Sequence, residues 1–212
     1  MIYIISFTIL YGLFPFLYFL FFKKKLSHEI KAFIPFLIIV FISSIYEFIF
    51  TTLLHFNVSI WFIIYSIASF FTVFYFFNEI IIKNNTIIKV FTLCFFFLLL
   101  LILFLLFNKE DFFKISSWID TYTTIFIFIF SVKWFKEVFQ KLKYESLWNS
   151  PYFYVVSGLI LYYFGNLFLF LMAELMYKNN NYSFQYYWLL NIILNLVLRT
   201  LLIVGIWKAR VK

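Results

Sequence analysis

The chain has 212 residues, 66% of them hydrophobic and 12% charged, and carries a formal net charge of +8. A soluble domain holds roughly 45–50% apolar and about 25% charged residues, so this composition excludes a water-soluble fold and leaves lipid as the solvent. The basic excess sits in short loops between apolar runs, a pattern that orients membrane proteins and does not point to nucleic acid.

Seven apolar runs follow one another, each long enough for the roughly 20 helical residues that cross a bilayer core. They are Ile2–Phe22, Ala32–Leu54, Val58–Ile82, Ile87–Phe107, Ser117–Phe139, Tyr152–Tyr177 and Tyr186–Trp207. The longest polar stretches, Lys136–Ser150 and Lys178–Gln185, are too short to fold alone. The expected fold is therefore all-α: a single transmembrane domain over residues 1–212, built as a polytopic seven-helix bundle.

No basic residue precedes the first run and no small-residue cleavage site follows it, so it reads as a retained span and not a signal peptide. The cluster Lys23, Lys24 and Lys25 comes after the run, which places the N-terminus outside and the C-terminus in the cytoplasm. On that topology thirteen Lys and Arg residues fall inside, and only Lys109, Lys114 and Lys178 fall outside. Arg199 is left within the last run. The 36 phenylalanines match an AT-rich codon bias and carry no functional argument. Cys94 is the single cysteine and forms no intrachain disulfide.

A charged group at the centre of a membrane helix costs about 2.5–3.5 kcal/mol or more, so each one needs a reason. Three runs carry most of the polar residues. The second has Ser43, Glu47, Thr51 and His55, the sixth Gly158, Tyr162, Asn166 and Glu174, and the seventh Tyr187, Asn191, Asn195 and Arg199. Spacings of four or eight put each set on one helix face. At about 1.5 Å per residue, Glu47, Asn166, Asn191 and Asn195 share one layer about 18–24 Å from the inner end. Arg199 lies lower, but its long side chain reaches that layer. These five residues are the candidate ligand- or ion-binding set, with Glu47 and Arg199 as charge partners. His55, Asp120 and Glu174 are expected near the outer surface, as the vestibule of an outward-facing polar cavity between the second, sixth and seventh helices. The competing explanation is architectural: Asn and paired charges also hold transmembrane helices together. The fourth run, with Thr92 and Cys94 as its only uncharged polar groups, is expected at the bundle edge, against lipid or a partner.

The familiar catalytic patterns are missing. His28 and His55 are the only histidines, too few for a metal centre or a bis-histidine haem. Ser157 lacks the glycine and histidine that a serine hydrolase needs. The last run holds Arg199 where a retinal Schiff base needs lysine, and no Gly-rich phosphate loop occurs. No catalytic residue, metal or cofactor is expected. An intramembrane lipid-modifying enzyme dividing acid–base work between Glu47 and Asp120 stays open as an alternative with nothing positive to support it.

The stretch Ser150–Phe170, with Ser150, Pro151, Phe153, Gly158, Tyr163, Gly165 and Asn166 at the matching positions, resembles a pattern in small uncharacterised bacterial membrane proteins. Those proteins have a similar length and seven-helix topology and are often encoded beside sensor histidine kinases. The resemblance implies a bacterial cytoplasmic membrane and a signalling association. The expected function is a non-enzymatic receptor-like sensor or accessory subunit, acting through a membrane or cytoplasmic partner that touches Lys133–Tyr144 or the fourth helix. A small transporter or ion channel using the same polar site is the alternative. The sequence sets no oligomeric state.

The charge asymmetry yields a direct prediction. In a Cys94→Ser background, cysteines placed at Lys109 or Lys178 are expected to react with a membrane-impermeant maleimide on intact cells. Cysteines at Lys24 or Lys208 are expected to react only after permeabilisation, and the opposite pattern would invert the topology.

Overall fold

Prolines mark where three of the helices begin. Pro15, Pro35 and Pro151 each occupy the first turn of a helix, where the missing N–H deprives no carbonyl of a partner. The computed structural model describes residues 2–54, 59–81, 86–107, 112–141, 146–169, 171 and 183–210. These form α1 (Ile2–Tyr11), α2 (Phe14–Phe22), α3 (Ile34–Tyr46), α4 (Ser59–Ile80), α5 (Thr86–Phe107), α6 (Phe112–Lys141), α7 (Pro151–Gly165) and α8 (Ser183–Lys208). Beyond Tyr46, α3 continues as a π-helical segment, Glu47–Leu53.

Among the described residues, six stretches are long and apolar enough to cross a membrane: Ile4–Lys25, Ile30–Phe50, Ile60–Ile80, Ile115–Gln140, Pro151–Leu169 and Leu189–Lys208. A shorter apolar stretch, Lys89–Leu100, belongs to α5. The chain is an all-helical integral membrane protein. Its apolar surface agrees, with Phe7, Phe14, Phe21, Ile60, Phe97 and Phe139 all facing outward.

The helices differ from the expected runs at informative places. The first run is two helices, broken at Gly12 and Leu13. The second changes from α to π geometry at Glu47. The sixth is interrupted by a turn at Asn166. The fifth, α6, begins at Phe112 and not at Ser117, because Ser116 and Ser117 are buried within the bundle and do not mark its edge.

Neighbour packing closes a ring. Span α1/α2 packs on α3, α3 on α4, α4 on α6, α6 on α7, α7 on α8, and α8 returns to α1/α2. The α7–α8 contact is the most extensive. Gly158 lies against Leu198 and Leu201, and Gly205 against the Pro151 carbonyl, so two small residues let these helices approach closely. At one membrane face the first and last spans are tied directly. Ser27 N–H donates to the Ala209 carbonyl at 2.9 Å, and the Arg210 guanidinium lies 4.7 Å from the Phe22 ring centre.

Helix α5 stands outside the ring. Phe95 stacks on Phe70 of α4 at 3.6 Å between ring centres, Phe91 meets Phe126 and Phe130 of α6, and Tyr122 of α6 donates to the Phe91 carbonyl at 2.6 Å. Its Val90, Leu93, Phe96, Phe97 and Leu100 face outward. Phe126→Ala opens the aromatic core and is expected to cost about 3–5 kcal/mol. Phe96→Ala, on the exposed face, is expected to stay within about 0.5 kcal/mol of the parent. Thermal unfolding of the purified variants checks the difference, and equal losses would displace α5 from this position.

Candidate functional site

Two of these interruptions, at Gly12 and at Glu47, adjoin one residue, Arg199 of α8. Its side chain is 4% exposed. A guanidinium carries five N–H donors in a rigid fork and stays charged, so burial obliges the surrounding helices to offer acceptors. Nη1 donates to the Thr8 carbonyl of α1. Nη2 donates to Ser44 Oγ of α3 at 3.5 Å, and Ser44 spends its own hydrogen on the Val40 carbonyl at 2.9 Å. Nε, also buried, has no hydrogen-bond partner among the described residues.

Local sequence explains how these acceptors come within reach. Pro15 lacks the N–H that would continue α1 into α2, and the chain turns through Gly12 and Leu13. The Gly12 N–H is shared between the Thr8 and Ile9 carbonyls, each at 3.1 Å, so the Thr8 oxygen keeps capacity for Arg199. Gly12 also makes room. A Cβ there would lie 2.7 Å from Arg199 Cζ and press directly on Ser44 Oγ. One residue along α8, Thr200 meets the Tyr11 hydroxyl at 3.2 Å and adds a second tie to α1.

Glu47 stands where α3 becomes π-helical. Ser43 Oγ donates to its Oε1 at 2.9 Å, within the stripe expected from the sequence. Glu47 and Arg199 attract one another across the layer, and the Tyr65 and Tyr162 hydroxyls lie within the same field. Asp120 belongs to this neighbourhood too. Its carboxylate accepts from Ser66 and acts on both tyrosines. With α6 starting at Phe112, Asp120 sits about two turns inside the helix and not at its end. Ser69 and the Tyr163 hydroxyl form a further hydrogen bond between α4 and α7.

Asn166 is fully buried at the turn that ends α7, and its Nδ2 donates to Asn191 Oδ1 of α8 at 3.3 Å. Asn166 Oδ1 has no hydrogen-bond partner among the described residues. Asn195 lies half-buried between Asn191 and Arg199 on α8. His55 and Glu174 lie outside the described residues. The structure thus joins Glu47 and Arg199 in one electrostatic cluster, pairs Asn166 with Asn191, and adds Asp120. Sequence reasoning passed over Thr8, Gly12, Ser44, Tyr65 and Ser66. A glycine three residues before a proline in an apolar run was the available signal for Gly12, and the Tyr65–Ser66–Ser69 polar face was the signal on α4.

Among the described residues no group of three or more His, Cys, Asp or Glu side chains is placed to hold a metal ion. Compared with protein-family models, curated proteins and solved structures, the chain matches none. What the cluster holds chemically is one guanidinium, two carboxyl groups and several hydroxyls, with Glu47 and Arg199 of opposite charge.

Gly12→Ala is expected to displace the guanidinium and cost about 1–3 kcal/mol, the usual penalty of overpacking. Adding Ser44→Ala removes the nearest obstructing atom and is expected to restore part of that loss. A Gly12→Ala protein that unfolds at the parent's temperature would contradict the close approach.

Proposed function

We propose that this protein is a seven-span, non-enzymatic membrane module, a receptor-like sensor or accessory subunit, with its N-terminus outside and its C-terminus in the cytoplasm of a bacterial cell. It binds a small polar solute in an outward-facing cavity at the Glu47–Asp120–Arg199 layer and passes its bound state to a partner protein. One observation carries the reading: two spans lose regular α-helical geometry beside a single buried guanidinium. A π-segment and broken helices are common at functional sites and give a bundle places to flex. The resemblance of Ser150–Phe170 to proteins encoded beside sensor kinases supports a signalling role, and helix α5, outside the ring, supplies a face for the partner.

Affinity purification from native membranes is expected to recover one partner protein in stoichiometric amount. A monodisperse protein with nothing attached, from membranes of the native cell, would argue against the sensor or accessory role.

The same interruptions favour a second reading, a small transporter, because solute carriers place their sites near mid-membrane where helices are discontinuous. That reading expects solute flux in proteoliposomes that falls with Glu47→Gln. Flux that is absent, or indifferent to this substitution, removes it.

A further inference from the structure

The first and last spans end side by side at one membrane face, and both ends are basic. Lys23, Lys24 and Lys25 form the turn that follows α2, and all three are exposed. Lys208 closes α8 and Arg210 follows it. Across 23–31 and 207–210 the sequence holds these five cations and Lys31 against one carboxylic acid, Glu29. Orienting a span across the bilayer needs only positive charge on the correct side. It does not need the charges fixed in place.

Here they are fixed. Leu26 and Arg210 pair as an antiparallel bridge, and the Ser27 N–H donates to the Ala209 carbonyl at 2.9 Å. The lysine turn is thereby tied through the backbone to the end of α8. Arg210 is held a second way. Its guanidinium carbon lies 4.7 Å from the Phe22 ring centre, 5.7 Å from that of Trp207 and 5.9 Å from that of Tyr18. Its Nε donates to the Trp207 carbonyl at 3.3 Å, and among the described residues its Nη donors have no acceptor. Lys208 Nζ lies 5.3 Å from the Trp207 ring centre. Like charges repel, and unconstrained turns would relieve the repulsion by moving apart. The backbone ties prevent that, so an anion that joins the cluster stabilises it.

An apolar face adjoins the cations. Phe21 is 82% exposed, and its ring centre lies 5.0 Å from that of Phe22. Leu17, one turn earlier on α2, is exposed, as is Trp207. Fixed cations beside interfacial rings, with an apolar stripe running back along the span, match the head and acyl chain of a phospholipid. A soluble anion or an acidic protein segment would use the cations alone.

We propose that an anionic phospholipid binds where the first and last spans meet, its phosphate on Arg210 and the Lys23–Lys25 turn and its acyl chain along Leu17 and Phe21. The guanidinium fork suits phosphate, and the lysines add charge around it. The lipid joins, from outside, the two spans whose contact closes the ring. This site is separate from the Arg199 layer and stands or falls without it.

The test follows thermal unfolding of the full-length protein in maltoside detergent as lipid is added. The probes are dioleoylphosphatidylglycerol and its zwitterionic counterpart dioleoylphosphatidylcholine. Sodium phosphate and a polyglutamate peptide supply negative charge without acyl chains. The expected result is a saturable rise in unfolding temperature with phosphatidylglycerol, at lower concentration than with phosphatidylcholine, and none with phosphate or peptide. Arg210→Gln is expected to raise the half-saturating concentration about fivefold, and Lys23→Gln combined with Lys24→Gln about 25-fold. The double variant leaves the backbone ties and the aromatic contacts untouched, and it decides the matter should Arg210→Gln fail to purify as a folded protein. Lys136→Gln removes an equal charge from α6 and is expected to leave half-saturation unchanged. Phosphatidylglycerol acting no better than phosphatidylcholine, or Lys136→Gln weakening the response as much as Arg210→Gln, overturns the site. Phosphate or peptide acting as well as the lipid overturns the lipid as its occupant.

Discussion

A guanidinium held away from water inside a lipid-solvated bundle constrains nearly everything else in this protein. Lipid offers no hydrogen bonds, so both the backbone and every buried donor must find partners within the chain. A continuous α-helix has already spent most of its carbonyls on itself. Arg199 obtains its acceptors where helical regularity relaxes, at Thr8 beside the Gly12 turn, and from Ser44, one turn before α3 takes up π geometry. Two of the irregular places in the fold, at Gly12 and at Glu47, therefore adjoin its charged centre.

The ring of six spans follows from the same demand. Thr8 of α1 and Ser44 of α3 accept from Arg199, Glu47 supplies the opposite charge, and the Tyr65 and Tyr162 hydroxyls of α4 and α7 lie within the same field. Small residues let α7 and α8 meet closely, which brings Asn166 onto Asn191 and keeps Arg199 near the axis. Helix α5 contributes no charge to this centre. It is held by aromatic stacking and one tyrosine hydrogen bond, and it leaves the ring intact.

Much of this was legible in the sequence because helix periodicity and lipid both impose simple rules. Glu47 and Arg199 stood out as charges in apolar runs, Ser43 and Asn191 as their neighbours four or eight residues away, and the fourth run as one with little polar character. What escaped were features without a periodic signature. Gly12 acts by lacking a side chain. Thr8 acts through its backbone, which residue identity does not report. Asp120 looked like a helix end because Ser116 and Ser117 are polar, yet both are buried and α6 begins earlier. Tyr65 and Ser66 were hidden in a chain of which 27% is aromatic.

The open physical question is whether the charges hold the bundle together or are held by it. Buried charge networks often contribute little net stability, and replacing all members at once can leave a protein as stable or more so, whereas removing one member alone is costly. The triple variant Glu47→Gln, Asp120→Asn, Arg199→Gln keeps shape and removes every charge from the layer. Its thermal unfolding in detergent, set beside the parent and the single variant Arg199→Gln, decides the matter. A site built for a ligand predicts a triple variant that unfolds at or above the parent's temperature, with Arg199→Gln alone well below it. A triple variant that unfolds as early as the single one would show the charges to be structural glue.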